Sequence, residues 1–154
     1  MKITKIIIIL LLIQGFILPA FSEEAKRSAK IISFKGKVEV RLVGKKFIPA
    51  ETGMVLGEGD IIRTYLGSSA IVNLDGSGET ATVEVKEGSQ LMLAELIADA
   101  EKQTKNTLLD LAIGKVLIKA QKLHSEESRF EVKTPTSVVG VRGTTFAVEV
   151  EALK

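Results

Sequence analysis

Apolar and polar residues alternate with period two along much of the chain, and that period sends successive side chains to opposite faces of an extended strand. Lys37-Val38-Glu39-Val40-Arg41-Leu42, Thr82-Val83-Glu84-Val85-Lys86, Arg129-Phe130-Glu131-Val132-Lys133 and Phe146-Ala147-Val148-Glu149-Val150-Glu151 all read as half-buried strands. Ile61-Ile62, Ala70-Ile71-Val72 and Val116-Leu117-Ile118 are denser and β-branched, which predicts strands covered on both faces. Glycines recur between these stretches, among them Gly44, Gly59, Gly76, Gly88 and Gly114, at the turn spacing of an all-β sandwich, barrel or roll.

One segment is ambiguous. Between Leu91 and Thr104, residues Leu93, Leu96, Ile97 and Ala100 fall at helical spacing. Strand patterns on both flanks favour a strand over Gln90 to Leu96 instead, followed by an exposed loop over the charged residues Ala98 to Asn106.

The N-terminus departs from β patterning. Lys2 and Lys5 precede an apolar run from Ile6 to Leu18, which Pro19 stops before Ala20-Phe21-Ser22. A basic start, an apolar centre and small residues at a cleavage position predict a signal peptide over residues 1–22, cut after Ser22. The run is shorter than the roughly 20 residues that span a bilayer, and no second run of that length follows, so no membrane span is expected after cleavage. Residues 23–30 are polar and predict a flexible lead-in, with a single domain over residues 31–151.

Removal of the leader changes the charge picture. The chain carries 21 Lys and Arg against 19 Asp and Glu, and losing Lys2 and Lys5 leaves the two signs balanced. The basic balance therefore gives no ground for a nucleic-acid partner. With no cysteine, the exported domain is held by its apolar core rather than by disulfides, and lipid attachment at the cleavage junction is ruled out. The expected location is periplasmic or secreted.

Candidate chemistry is sparse. His124, the one histidine, sits between strand patterns beside Ser125-Glu126-Glu127 and reads as a solvated loop residue. Asp75-Gly76-Ser77-Gly78-Glu79 resembles half of a calcium loop but supplies too few charged oxygens, so Asp75 and Gly76 are read as a hairpin turn. Glu126-Glu127 and Glu149 with Glu151 look like solvated faces, and nothing selects a pair of carboxylates for hydrolysis. No catalytic residue, metal or cofactor is expected.

The most distinctive stretch runs from Phe130 to Val148. Pro135 lacks a backbone donor and holds Thr134 extended, as at a strand corner. Gly140 and Gly143 flank Arg142 with backbone freedom. Thr134, Pro135, Val141, Arg142, Gly143, Thr144 and Phe146 together resemble the hallmark of the FecR domain family, a Thr-Pro pair followed by Val-Arg-Gly-Thr and an aromatic. Gly57 to Thr64, Leu74-Asp75-Gly76-Ser77 and Leu111 to Lys119 are similar to other recurring pieces of that family. The resemblance implies a single elongated β-sandwich or β-roll-like domain of about ten short strands, outside the bacterial inner membrane, in a family best known from signalling regulators. Those regulators carry a cytoplasmic segment and a membrane span, whereas here a leader directly precedes the domain, so direct contact with a cytoplasmic sigma factor is not expected.

The signature residues read as determinants of the fold rather than as a site. Arg142 is expected as a buried arginine tying the Pro135 corner to the last strand, with a partner-docking cation as the rival reading. Export, a β architecture and the lack of chemistry predict a non-enzymatic module that binds another protein of the cell envelope. The alternative is a module binding cell-wall carbohydrate, which the absence of Trp and the single tyrosine, Tyr65, make less favourable.

Overall fold

The computed structural model describes residues 24–76, 78–122 and 125–151. They form thirteen strands and no helix: β1 (Glu24–Lys26), β2 (Ala29–Lys35), β3 (Val38–Arg41), β4 (Phe47–Pro49), β5 (Val55–Leu56), β6 (Ile61–Thr64), β7 (Ser69–Leu74), β8 (Ala81–Val85), β9 (Gln90–Asp99), β10 (Thr104–Ala120), β11 (Arg129–Lys133), β12 (Val138–Gly140) and β13 (Thr145–Val150). The all-β class is as expected. The count exceeds the expected ten or so because pieces of two or three residues, β1, β4, β5 and β12, are too short for a period of two to register. The leader over residues 1–22 and His124 lie outside the described residues. Among those described, no helix is long and apolar enough to cross a membrane.

All strands belong to one curled sheet, a half-barrel, because β10 is shared by two halves. Its first part pairs with β9 on one edge and with β11 on the other, and β9 carries the sheet on through β6 and β3 to β4. Its last part pairs with β8 and β13, and β8 continues through β7 and β2 to β5. Every pairing is antiparallel except that of β10 with β11. The inward side chains of both halves, among them Val40, Ile62, Leu93, Leu109 and Phe130 from one and Ile31, Val72, Val83 and Ile118 from the other, form a single core.

Gly114 marks the change of partners within β10. Its φ is +91°, a conformation open mainly to glycine, and a side chain there would lie 2.5 Å from Ser89 Cα. Ser89 Oγ exploits the close approach, accepting the Lys115 N–H at 2.9 Å and donating to the Lys115 carbonyl at 3.1 Å. Register shifts between Leu108 and Leu109 and between Leu111 and Ile113 add to the bend.

Three expectations are corrected. The segment Leu91 to Thr104 is strand, as favoured, but the loop over Ala98 to Asn106 shrinks to residues 100–103, because β9 runs to Asp99 and β10 begins at Thr104. Asp99 Oδ1 closes this tight turn by accepting the N–H groups of Glu101 and Lys102, both at 3.0 Å. The polar residues here are extended because β1 and β11 supply the hydrogen-bonding partners.

The lead-in over residues 23–30 is likewise part of the sheet from Glu24 onward. Residues Glu24 to Lys26 pair with Ile97 to Asp99, and Ala29 is fully buried. Arg27 explains why a polar segment docks: its side chain is only 6% exposed, and the guanidinium holds Asp75 with Nε–Oδ1 at 2.7 Å and Nη2–Oδ2 at 3.0 Å. Finally, of the dense apolar runs, Ile61 and Ile62 are both buried, but Ile71 and Leu117 are half-buried on an outer face.

Candidate binding surface

The signature segment builds one corner of the half-barrel. β11 lies parallel beside β10, buries Phe130 and Val132 in the core, and turns back through residues 134–137 into β12. Thr134 organises that turn: its N–H donates to the Ser137 carbonyl at 2.8 Å, and its Oγ1 accepts the Ser137 N–H at 3.0 Å. Pro135 needs no backbone partner and is exposed at the tip. Val141 follows β12 and donates its N–H to the Phe130 carbonyl at 2.8 Å, so the hairpin holds at both ends.

This geometry separates the signature residues. Thr134 and Pro135 sit at one end of β11, whereas Arg142, Gly143 and Thr144 lie beyond its other end, about 13 Å away at the rise of an extended strand. The expectation for Arg142 is therefore corrected. It is exposed, and Nη2 donates at 3.1 Å to the Glu126 carbonyl, far from the Pro135 corner. A guanidinium can remain solvated here because the hairpin closes through backbone bonds and the Thr134 hydroxyl, without Arg142.

Gly143 and Thr144 return the chain to the second half of the sheet. Gly143 takes φ +65° and comes so close to Lys122 that a side chain would lie 3.0 Å from its Cα, while the Thr144 carbonyl accepts the Ala120 N–H at 3.1 Å. Val141 and Phe146 then pack against the core. Thr134, Gly143, Val141 and Phe146 thus shape the fold, and Arg142 alone of the charged or aromatic signature residues faces solvent freely.

What the corner leaves open is a strand edge. β12 pairs only with β11, and in the antiparallel alternation the bonds at Val132–Val139 and Phe130–Val141 leave the backbone groups of Val138 and Gly140 pointing outward. Val138 is 60% exposed and Val139 37%. No charged residue lies between Lys133 and Arg142. The other sheet ends are blunted by contrast: β4 ends in Pro49, β5 has two residues, and β13 carries Glu149. Recesses flank the β12 hairpin, one of about 270 Å³ that includes Arg142 and Glu131 and one of about 430 Å³ that includes Pro135 and Ile113.

The other singled-out pair, Asp75 and Gly76, forms a turn, with φ of +62° and +70°. Sequence reasoning missed what the Asp75 carboxylate does. Besides Arg27 it takes Lys105 Nζ at 3.0 Å and a hydrogen bond from Thr80 Oγ1, so two cations and a hydroxyl occupy it. Burial alone would raise its pKa, but the bonds from Arg27, Thr80 and Lys105 outweigh that and hold it below the usual value. Its partners lie 48 and 30 residues away, which no local pattern reveals. No group of three or more His, Cys, Asp or Glu suited to a metal ion is present among the described residues.

No curated protein and no solved structure matches the chain. A family described as FecR protein matches residues 60–153, which takes in β6 through β13 and the whole signature corner. The all-β architecture and the corner built by Thr134, Pro135, Gly143 and Phe146 are thus those of a chain that belongs to the FecR family.

Proposed function

We propose that this FecR-family chain is a non-enzymatic, exported module of the bacterial cell envelope that binds another protein by taking one of its strands onto β12. The carrying observation is the β12 edge, which is apolar, uncharged and unpaired in a protein whose other edges are short or blunted. Backbone groups at Val138 and Gly140 supply the ladder, and the two valines supply apolar contact on alternate faces.

The alternative, carbohydrate binding, finds less support. Tyr65 donates its hydroxyl to Glu39 Oε2 at 2.6 Å and lies under Lys37 Nζ at 4.2 Å, and Phe47 lies under Arg63, so both rings are already engaged. The test is photo-crosslinking in envelope extracts, with a photoreactive residue at Val138 and a control at exposed Leu66. A specific protein adduct should form from Val138 only and disappear when the neighbouring Val139 is changed to Lys. Recovery of no specific protein, or equal adducts from both positions, would sink the proposal, and pelleting of the domain with peptidoglycan would favour the carbohydrate reading.

A further inference from the structure

A second surface lies at the far end of the sheet, on the outer face of β3, β4 and β6. Phe47 on β4 carries two guanidiniums: Arg63 lies 3.8 Å from its ring centroid and Arg41, its cross-strand neighbour, 5.3 Å. Arg63 is held further by Gln90, whose Oε1 accepts Nε at 3.2 Å and Nη2 at 2.8 Å. Stacking and hydrogen bonds therefore immobilise Arg63, and its Nη1 makes no hydrogen bond among the described residues. Arg41 forms no ion pair among the described residues, and the exposed Lys45 and Lys46 of the β3–β4 turn form none either.

Two carboxylates lie nearby, and both have hydrogen-bond partners of their own, although Glu39 also faces Arg63 across the β3–β6 pairing. Glu39 accepts the Tyr65 hydroxyl and pairs with Lys37 Nζ at 3.3 Å, and the Tyr65 bond chiefly holds its pKa low, against the opposing effect of desolvation. Asp60 is buried and turned to the backbone, accepting the N–H groups of Val43 at 2.9 Å and Gly57 at 2.8 Å. Four cations thus cluster at this end of the sheet; Glu39, directly across from Arg63, offsets part of that charge, but Arg41, Lys45 and Lys46 form no ion pair among the described residues, in a chain whose total charge is near balance.

We infer that this face binds an acidic segment of a partner protein, with Arg41 and Arg63 taking its carboxylates and Lys45 and Lys46 drawing it in. Planar guanidiniums match carboxylates in a two-pronged geometry, and a guanidinium already fixed on an aromatic ring loses little freedom on binding. Strand addition does not serve here, because Pro49 lacks the N–H that the free edge of β4 would offer. A lipid surface fits less well: the ring that would insert is covered by guanidiniums, leaving Val43 and Ile48 as the exposed apolar residues nearby. Nucleic acid would need free rings for stacking, and Phe47 is occupied.

The test is fluorescence anisotropy of the purified protein with a short labelled peptide of alternating glutamate and serine. Binding should weaken steeply as salt rises. Arg41→Gln and Arg63→Gln should each lower affinity about tenfold, the effect of one lost charge-assisted hydrogen bond. Gln90→Ala should lower it by a smaller factor through loss of the Arg63 clamp, and Lys26→Gln on exposed β1 should change nothing. Circular dichroism confirms that each variant is folded. No binding at low salt, equal binding by the arginine variants, or binding of phosphatidylglycerol vesicles or single-stranded DNA in preference to the peptide would each overturn the inference. The surface is separate from the β12 edge, so the two proposals fail independently.

Discussion

Replacing Arg27 by Met removes the group that fastens the first residues of the domain to the rest. The guanidinium makes four hydrogen bonds: two to Asp75, one to Thr107 Oγ1 at 2.9 Å and one to the Asn106 carbonyl at 3.1 Å. Breaking a buried pair by removing one partner costs about 3–5 kcal/mol, because the other charge is left uncompensated. Here Lys105 and Thr80 stay on Asp75, and Met still fills part of the space, so the expected loss is about 2–3 kcal/mol. Asp75→Asn strands two cations and should cost about 3–4 kcal/mol by the same reasoning. The double variant should lose clearly less than the two together, since the residues share one contact. The chain has no Trp, so urea unfolding is followed by far-UV circular dichroism. A loss under about 1 kcal/mol for Arg27→Met, or strict additivity in the double variant, would refute the claim that this pair docks the N-terminal segment.

Three further outcomes follow from the same structure. The Asp75 pKa is lower in the folded state than in the unfolded one, so its contribution is fully present above the unfolded value near 3.8 and is lost as pH falls through the folded one; the urea midpoint should drop on acidification below about pH 4, and less so in Asp75→Asn. Gly114→Ala combines a φ of +91° with overlap on Ser89 Cα, and equilibrium unfolding should show a loss of about 2–4 kcal/mol that Ser89→Gly does not restore, because the Cα stays in place. Arg142→Ala should change the unfolding free energy by less than about 0.5 kcal/mol, because its one hydrogen bond is exposed, whereas Thr134→Val should cost about 1–2 kcal/mol through the lost turn bonds.

The signature corner shows how unevenly the site could be read from the chain. Pro135 and Gly143 announce a corner and a bend in any context, because one lacks a donor and the other adopts φ of +65°. Arg142 announces only a cation. Whether it is buried depends on what lies beside it, and here that is the Glu126 carbonyl across an open loop. The β12 edge was equally hidden: an apolar pair such as Val138-Val139 does not show in sequence whether it is covered, and only the order of the sheet places it on an open edge.

The sequence by itself determined the strand class, the faces of most strands and the turns, because these follow from a period of two and from the φ range of single residues. It carried the family as well, through seven residues clustered near the C-terminus. Tertiary structure alone decided that β10 is shared by both halves, that Arg27 meets Asp75 and that Arg41 and Arg63 meet on Phe47. Each of these brings together residues from strands apart in the chain, and pairing order, unlike alternation, is set by the packing of the whole sheet rather than by any local stretch.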